Sequence, residues 1–313
     1  MDRLDSLFSN AMDRISRVSN HETSPCDVMT GFKALDNKLC GFDNGDLIIV
    51  GSRPRVGKTS FIISCVYNNV RQGVPVLLYS LDMTQLQLAY RLLSIATGID
   101  LERIRKGDLN EKEREILKTQ VEALQQLPLG IEADAPINVE ELCELIEKQV
   151  KESGAKIVYI DYLQLMMSKD HKAIENRYQE VCLFSRSFKA LAHRLNIPIV
   201  VASQLNRKPE NRQEVIREYV RPNMYDLRDS GTICEDANLV FLLGRPELVS
   251  NNYEDREGNN IRGLVEVIVA KHNNGQDGVV ELVFNHETCA FSDKEEIDLS
   301  RYEGNYGSPL IDY

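Results

Sequence analysis

Long apolar runs, a secretory leader, paired cysteines and an excess of positive charge are all missing from this chain of 313 residues. No segment approaches the roughly 20 apolar residues that cross a bilayer, and the opening Met-Asp-Arg-Leu-Asp is no signal peptide. A cytoplasmic protein with no membrane partner is therefore expected. The seven cysteines, at 26, 40, 65, 143, 182, 234 and 289, form no C-x-x-C pair, and the five histidines show no ligand spacing. That pattern argues against structural zinc and against a disulfide framework, and it fits a reducing compartment. Internal repeats are absent as well. Lys and Arg number 37 against 48 Asp and Glu, a net charge of −11. A nucleic-acid binder usually carries a basic field, so composition votes mildly against one, although a few local contacts to a backbone suffice. At 42% hydrophobic and 27% charged residues the chain is otherwise an ordinary globular protein.

What is present is a phosphate-binding loop. Gly51, Ser52, Arg53, Pro54, Arg55, Val56, Gly57, Lys58 and Thr59 spell G-x-x-x-x-x-G-K-T, the G-x-x-x-x-G-K-T pattern with Ser52 in place of its first glycine and Gly51 just before it, with Ser60 next. The apolar run 47–50 precedes it and an apolar helical start, 61–66, follows. Strand, Gly-rich turn and helix are the context in which this pattern has a mechanism. Backbone N–H groups and the helix N-terminus converge on one spot and favour a polyanion. Lys58 is placed to reach β- and γ-phosphates and Thr59 to ligate Mg²⁺, so ATP and Mg²⁺ are the expected cofactors.

The second half of such a site needs a carboxylate at a strand end. Lys156-Ile157-Val158-Tyr159-Ile160-Asp161 supplies it, with Asp161 as a metal-side acid. Hydrolysis also needs a group that orients or deprotonates water. Asp82, just past the strand 75–80, and Gln204, closing the strand 197–202, are the candidates; a solvated strand-end amide is the alternative for Gln204.

The organisation is α/β. Strands are predicted near 47–51, 75–80, 128–132, 156–161, 197–202, 238–243, 263–270 and 278–284, with helices near 59–71, 84–97, 110–126, 138–152 and 174–194. Alternation of this kind implies a mainly parallel sheet covered on both faces. Asn138 should cap its helix with Glu141 completing a capping box, and Ile137 can staple onto Leu142. Leu4, Phe8, Ala11, Ile15 and Val18 form an apolar stripe, so 3–18 reads as an amphipathic helix. Its stripe packs either on its own domain or on a neighbouring subunit. Three units follow: residues 1–27 as linker helix and linker, 28–292 as the ATPase domain, and 293–313 as an acidic to polar, poorly packed tail.

These pieces, in this order, resemble the C-terminal motor domain of DnaB-type replicative DNA helicases, on a RecA-like fold. The resemblance is carried by 30–36 (Thr-Gly-Phe-Lys-Ala-Leu-Asp), the loop at 51–60, 79–83 (Tyr-Ser-Leu-Asp-Met), 160–166 (Ile-Asp-Tyr-Leu-Gln-Leu-Met), 175–177 (Glu-Asn-Arg), 203–207 (Ser-Gln-Leu-Asn-Arg), 226–231 (Asp-Leu-Arg-Asp-Ser-Gly) and 271–275 (Lys-His-Asn-Asn-Gly). It implies that Lys58, Thr59 and Asp161 hold Mg-ATP, that Asp82 is the catalytic acid position and that Gln204 senses the γ-phosphate. It implies that Arg228, Asp229 and Gly231 grip single-stranded DNA in the channel of a homo-oligomeric, hexameric ring. Lys271 would enter the neighbouring subunit's ATP site, Arg245 would lie beside the adenine, with an exposed surface turn as the alternative for it, and the helix 3–18 would dock on the adjacent subunit. The loop 168–172 would face the channel or solvent. A primase and a helicase loader are the further partners it implies.

The sequence departs from the family at three points. Asp82 stands where the family has glutamate, and Asn273 where it has the arginine that acts in trans. The residues ahead of the matching stretch are too few for the family's helical collar domain, which implies an excised piece or a naturally short relative. Two readings follow: a DNA-unwinding motor, or a hydrolysis-impaired ATP-binding assembly protein. A RecA- or RadA-like recombination ATPase would share the fold, but the signatures at 160–166 and 226–231 speak against it.

Overall fold

The computed structural model describes residues 4–20, 26, 28–133, 135, 138–168, 177–205, 219–248, 253–254 and 258–294. In chain order the elements are α1 (Leu4–Ser19), α2 (Lys33–Leu39), β1 (Leu47–Ser52), α3 (Lys58–Arg71), β2 (Val76–Ser80), α4 (Gln85–Thr97), α5 (Leu101–Lys106), α6 (Glu111–Leu124), β3 (Leu129–Glu132), α7 (Val139–Ser153), β4 (Ile157–Asp161), α8 (Arg177–Leu195), β5 (Ile199–Gln204), α9 (Gly231–Asp236), β6 (Leu239–Gly244), β7 (Leu264–His272), β8 (Gly278–Asn285) and β9 (Ala290–Asp293). The strands form one sheet in the order β3-β2-β4-β5-β1-β6-β7-β8-β9. Pairing is parallel from β3 through β6 and antiparallel from β6 through β9.

The eight expected strands and the mainly parallel sheet are all present. The ninth strand, β9, has four residues, Ala-Phe-Ser-Asp, too few for a periodic signal. The short helices α2, α5 and α9, of seven, six and six residues, escape a helical period for the same reason.

Parallel strands covered on both faces must be apolar throughout, and β1 is buried at every position. Its side chains alternate between two cores. Ile48 and Val50 join Phe61, Ile62 and Phe241 under α3. Leu47 and Ile49 join Phe184, Phe188, Leu142 and Ile146 under α7 and α8. Asn138 caps α7 by accepting from the N–H groups of Glu140 and Glu141 at 3.0 and 3.3 Å. The staple residue Ile137 lies outside the described residues.

The apolar stripe of α1 does not pack on its own domain. Leu4, Phe8, Met12 and Ile15 are 69, 67, 59 and 57% exposed. Among the described residues no helix is long and apolar enough to cross a membrane. The expected boundary at 292 is corrected, since Asp293 closes β9, is buried and accepts from the Lys33 and Ala34 N–H groups at 2.9 and 3.1 Å; the rest of the predicted tail from 295 and the loop 169–172 lie outside the described residues.

Candidate nucleotide site

The loop leaves β1 at Ser52 and enters α3 at Lys58, with Gly57 as the residue before the helix. Gly57 has φ 112°, a conformation L side chains rarely adopt, and a Cβ there would meet the Phe291 ring at 3.3 Å. Glycine is thus required both by the turn and by the aromatic packing under it. Arg245 braces the loop from the same side. It is 6% exposed, its Nη1 donates to the carbonyls of Arg55 and Val56 at 3.4 Å, and its guanidinium lies 4.5 Å from the Phe284 ring centroid. Its Nε and Nη2 donate to Glu247. Burial pushes the Glu247 carboxyl up, but hydrogen bonds from His286 and the Gly263 N–H, with the charge of Arg245, outweigh it and hold the group at about 2.

Opposite the loop, Thr59 Oγ1 donates to Asp161 Oδ2 at 2.6 Å, and Lys58 Nζ lies 3.6 Å from Asp161 Oδ1. Asp161 is 2% exposed, and its Oδ1 has no hydrogen-bond partner among the described residues. A buried carboxylate oxygen without a donor, beside a threonine hydroxyl, fits a hard cation that takes oxygen ligands. Among the described residues no group of three or more His, Cys, Asp or Glu could hold a metal. Burial pushes the Lys58 ammonium below its ordinary range, while Asp161 and Asp82 push it back up. The ammonium also lies 4.1 Å from the Tyr162 ring centroid.

The loop with Lys58 and Thr59, and Tyr162, line a cleft of about 340 Å³ that also takes in Asp82, Gln204 and Arg245. Asp82 is exposed on its rim. Four lining residues carried no role in the sequence: Arg91, whose Nη1 donates to Ser60 Oγ at 2.8 Å, Tyr162, Phe284 and Cys289. Arg91 sits two turns into α4, behind the Thr84 capping box that starts the helix just after Asp82. Residues so far apart in sequence give no local signal of a shared wall.

Lys271 stands elsewhere. β7 runs antiparallel to β6, with Lys271 opposite Val240, whereas Ser52, where the loop begins, is level with Leu243. Its Nζ donates to the carbonyls of Cys234 and Glu235 at 2.9 and 3.1 Å, the last turn of α9. It lies nearer the opposite end of the strands from the cleft and does not line it. Asp226, at the start of the 226–231 segment, is buried and lies 3.9 Å from Arg53 of the loop. The backbone of that segment is a 3-10 turn (Met224–Ser230) leading into α9. The side chains of Arg228 and Asp229 and the surroundings of Gly231 are outside the described residues, as are Glu175, Asn176, Asn206 and Arg207.

A phosphate loop at the end of one parallel strand, and its acidic partner one strand beyond a neighbour, define a RecA-like P-loop nucleotide-binding fold. The chain belongs to the DnaB-like helicase C-terminal domain family, whose profile matches residues 27–293. It is 38% identical over 268 residues to a probable replicative DNA helicase of Trieres chinensis, covering 85% of this chain and 57% of that protein. It is 35% identical over 290 residues to the replicative DNA helicase DnaB of Geobacillus stearothermophilus, covering 92% of this chain and 61% of that one. Among solved structures, one described as an ATPase domain superposes with a TM-score of 0.80 at 26% identity, covering 94% of this chain and 99% of that one. A DnaB-like replicative helicase described with its interactions with primase gives 0.78 at 26% identity, covering 94% and 67%. The chain thus spans about 60% of the length of the curated relatives it matches.

Proposed function

We propose that this chain is the ATP-driven motor of a DNA helicase that works as a hexameric ring on single-stranded DNA in the cytoplasm. The observation that carries the reading is the cluster of Lys58, Thr59 and Asp161 at the mouth of the loop, in a chain of this family. Thr59 and Asp161 would hold Mg²⁺, which when bound neutralises charge on the β- and γ-phosphates. Lys58 pairs with the same oxygens. Asp82 accepts a proton from the water that attacks the γ-phosphorus, the bond to the bridging oxygen breaks, and ADP and phosphate leave. Gln204 reads the γ-phosphate and Arg91 adds a cation on the cleft wall.

The position of Lys271 supports a site shared between copies, because a lysine bonded to α9 near the far end of the strands serves another subunit's nucleotide better than its own. The exposed stripe of α1 supports docking on that neighbour. Arg228, Asp229 and Gly231 are assigned to the DNA backbone. This accommodates the net charge of −11, since one loop per subunit concentrates donors in a channel while the outside stays acidic. A primase, as for the solved relative, and a helicase loader are candidate partners.

A second reading, an ATP-gated assembly protein with slow turnover, is favoured by one observation. Position 273 carries no cation, and its backbone N–H is bonded to the Asn238 carbonyl at 3.0 Å. Steady-state ATP hydrolysis with and without single-stranded DNA separates the two. DNA-stimulated turnover supports the motor, and tight Mg-ATP binding without turnover supports the assembly protein.

A further inference from the structure

Just beyond Asp161 the chain carries a side chain that does the work of a backbone. β4 and β5 are paired only as far as Ile160 opposite Val201. β5 runs on past that point, pairing with β1 through Ser203 opposite Gly51 and Gln204 opposite Ser52. Alternate residues of a strand turn their backbone groups to opposite neighbours. On β5 the N–H groups of Ile199 and Leu205 reach the Asp46 and Ser52 carbonyls on the β1 side, and the Pro198 carbonyl accepts from Val158 of β4. By that alternation Gln204 presents its N–H and C=O towards β4, where the ladder has ended.

Gln164 occupies the gap. It lies in the 3-10 turn Leu163–Leu165 that follows β4. Its Oε1 accepts from the Gln204 N–H at 2.9 Å, and its Nε2 donates to the Gln204 carbonyl at 3.2 Å and to Ser203 Oγ at 2.9 Å. A primary amide offers a donor and an acceptor side by side, as a peptide unit does. Here it supplies one more rung of ladder. Ser203 is fully buried, so the same amide also provides a partner for a hydroxyl sealed from water.

We propose that Gln164 is a positioning residue: its side-chain amide clamps the open end of β5 and so aims the Gln204 side chain at the γ-phosphate position, tying it to the turn that begins at Asp161. This rests on the reading of Gln204 as the γ-phosphate sensor. The consequence is selective. The loop, Lys58 and Thr59 hold ADP and ATP alike and are untouched by the clamp, whereas the γ-phosphate contact depends on it.

The test compares Gln164→Met, which keeps length and loses the amide, with Gln204→Ala and the double variant. The readouts are kcat, KM and equilibrium binding of a fluorescent ATP analogue and its ADP counterpart. Gln164→Met should lower kcat by about tenfold to 10²-fold, the scale of a misplacement near an ångström, while ADP affinity stays at the wild-type value. Its ATP-over-ADP preference should fall to that of Gln204→Ala, and the double variant should be no worse than Gln204→Ala alone, because one residue acts through the other. The nucleotide-preference arm needs no turnover. Gln164→Glu keeps the acceptor but loses the donor, and Ser203→Ala removes one of three bonds, so both should be intermediate; they carry the test if Gln164→Met does not fold. Equal losses of ATP and ADP binding, or losses that multiply in the double variant, overturn the clamp. So does an effect of Gln204→Ala that Gln164→Met fails to reproduce. If Gln204→Ala itself changes neither kcat nor preference, the sensor assignment has failed and takes the clamp with it.

Discussion

Aspartate and glutamate differ by one methylene, and at residue 82 that methylene sets how far a carboxylate reaches into the cleft from its exposed rim. Position 273 is the second single-residue question, since asparagine has neither the charge nor the planar fork of the guanidinium expected there. A catalytic base displaced by an ångström costs up to ~10²-fold, and an arginine acting in trans is worth ~10³–10⁵ in turnover where it operates. Asp82→Glu combined with Asn273→Arg is therefore expected to raise kcat by at least tenfold with little change in KM. Hydrolysis measured on the double variant checks it, and an unchanged kcat would show that these two positions do not limit turnover. At this scale the sequence was readable where a residue type has few alternative uses. Lys58, Thr59 and Asp161 meet as their spacing predicted. Arg245 was not readable in this way. An arginine next to a proline in a strand-end turn reads as a base contact or a surface residue, and only its neighbours show it braced beneath the loop against Glu247 and Phe284.

Among elements, α1 is the one whose sequence and surroundings disagree within a single copy. Four large apolar side chains stand in solvent along one face, which a helix maintains only if something covers them. Burying a side chain of this size stabilises by about 1.5–3 kcal/mol. Phe8→Asp is accordingly expected to weaken self-association by at least tenfold while leaving the thermal unfolding of the ATPase domain in place. Sedimentation velocity across a dilution series measures the first, and calorimetry the second. Unaltered association would mean that the stripe is covered by something other than a second copy. The helices with long periodic patterns were legible, and Asn138 caps α7 as its sequence suggests, whereas the complete capping boxes at Thr84 and Asn110 that start α4 and α6 emerge from the structure. The three shortest helices were not, because six or seven residues give too few turns for a period to emerge.

For the whole molecule, the sheet places the cleft and Lys271 towards opposite ends of its strands, and the proposed shared site predicts that two chains meeting head to tail complement one another. Lys58→Ala and Lys271→Ala should each abolish most turnover alone. Mixed in equal amounts they should regain it, because the loop of one variant then faces the intact Lys271 of the other at about a quarter of randomly formed interfaces. Silence of the mixture, with mixed oligomers shown to form, would place Lys271 outside the reaction.

By itself the sequence determined the P-loop, the acid at 161, the places of eight strands along the chain and the mainly parallel sheet. All of these rest on local rules, namely the two-residue period of strands, the geometry a Gly-Lys-Thr turn imposes and the burial that parallel strands demand. Tertiary structure alone decided which distant side chains share a wall. It brought Arg91 and Cys289 to the cleft, drew Arg245 under the loop, carried Lys271 away and set the Gln164 amide against the end of β5. Such meetings depend on how far each strand runs past its neighbour and which way the final antiparallel strands return. Those are properties of the assembled sheet, and no window of sequence contains them.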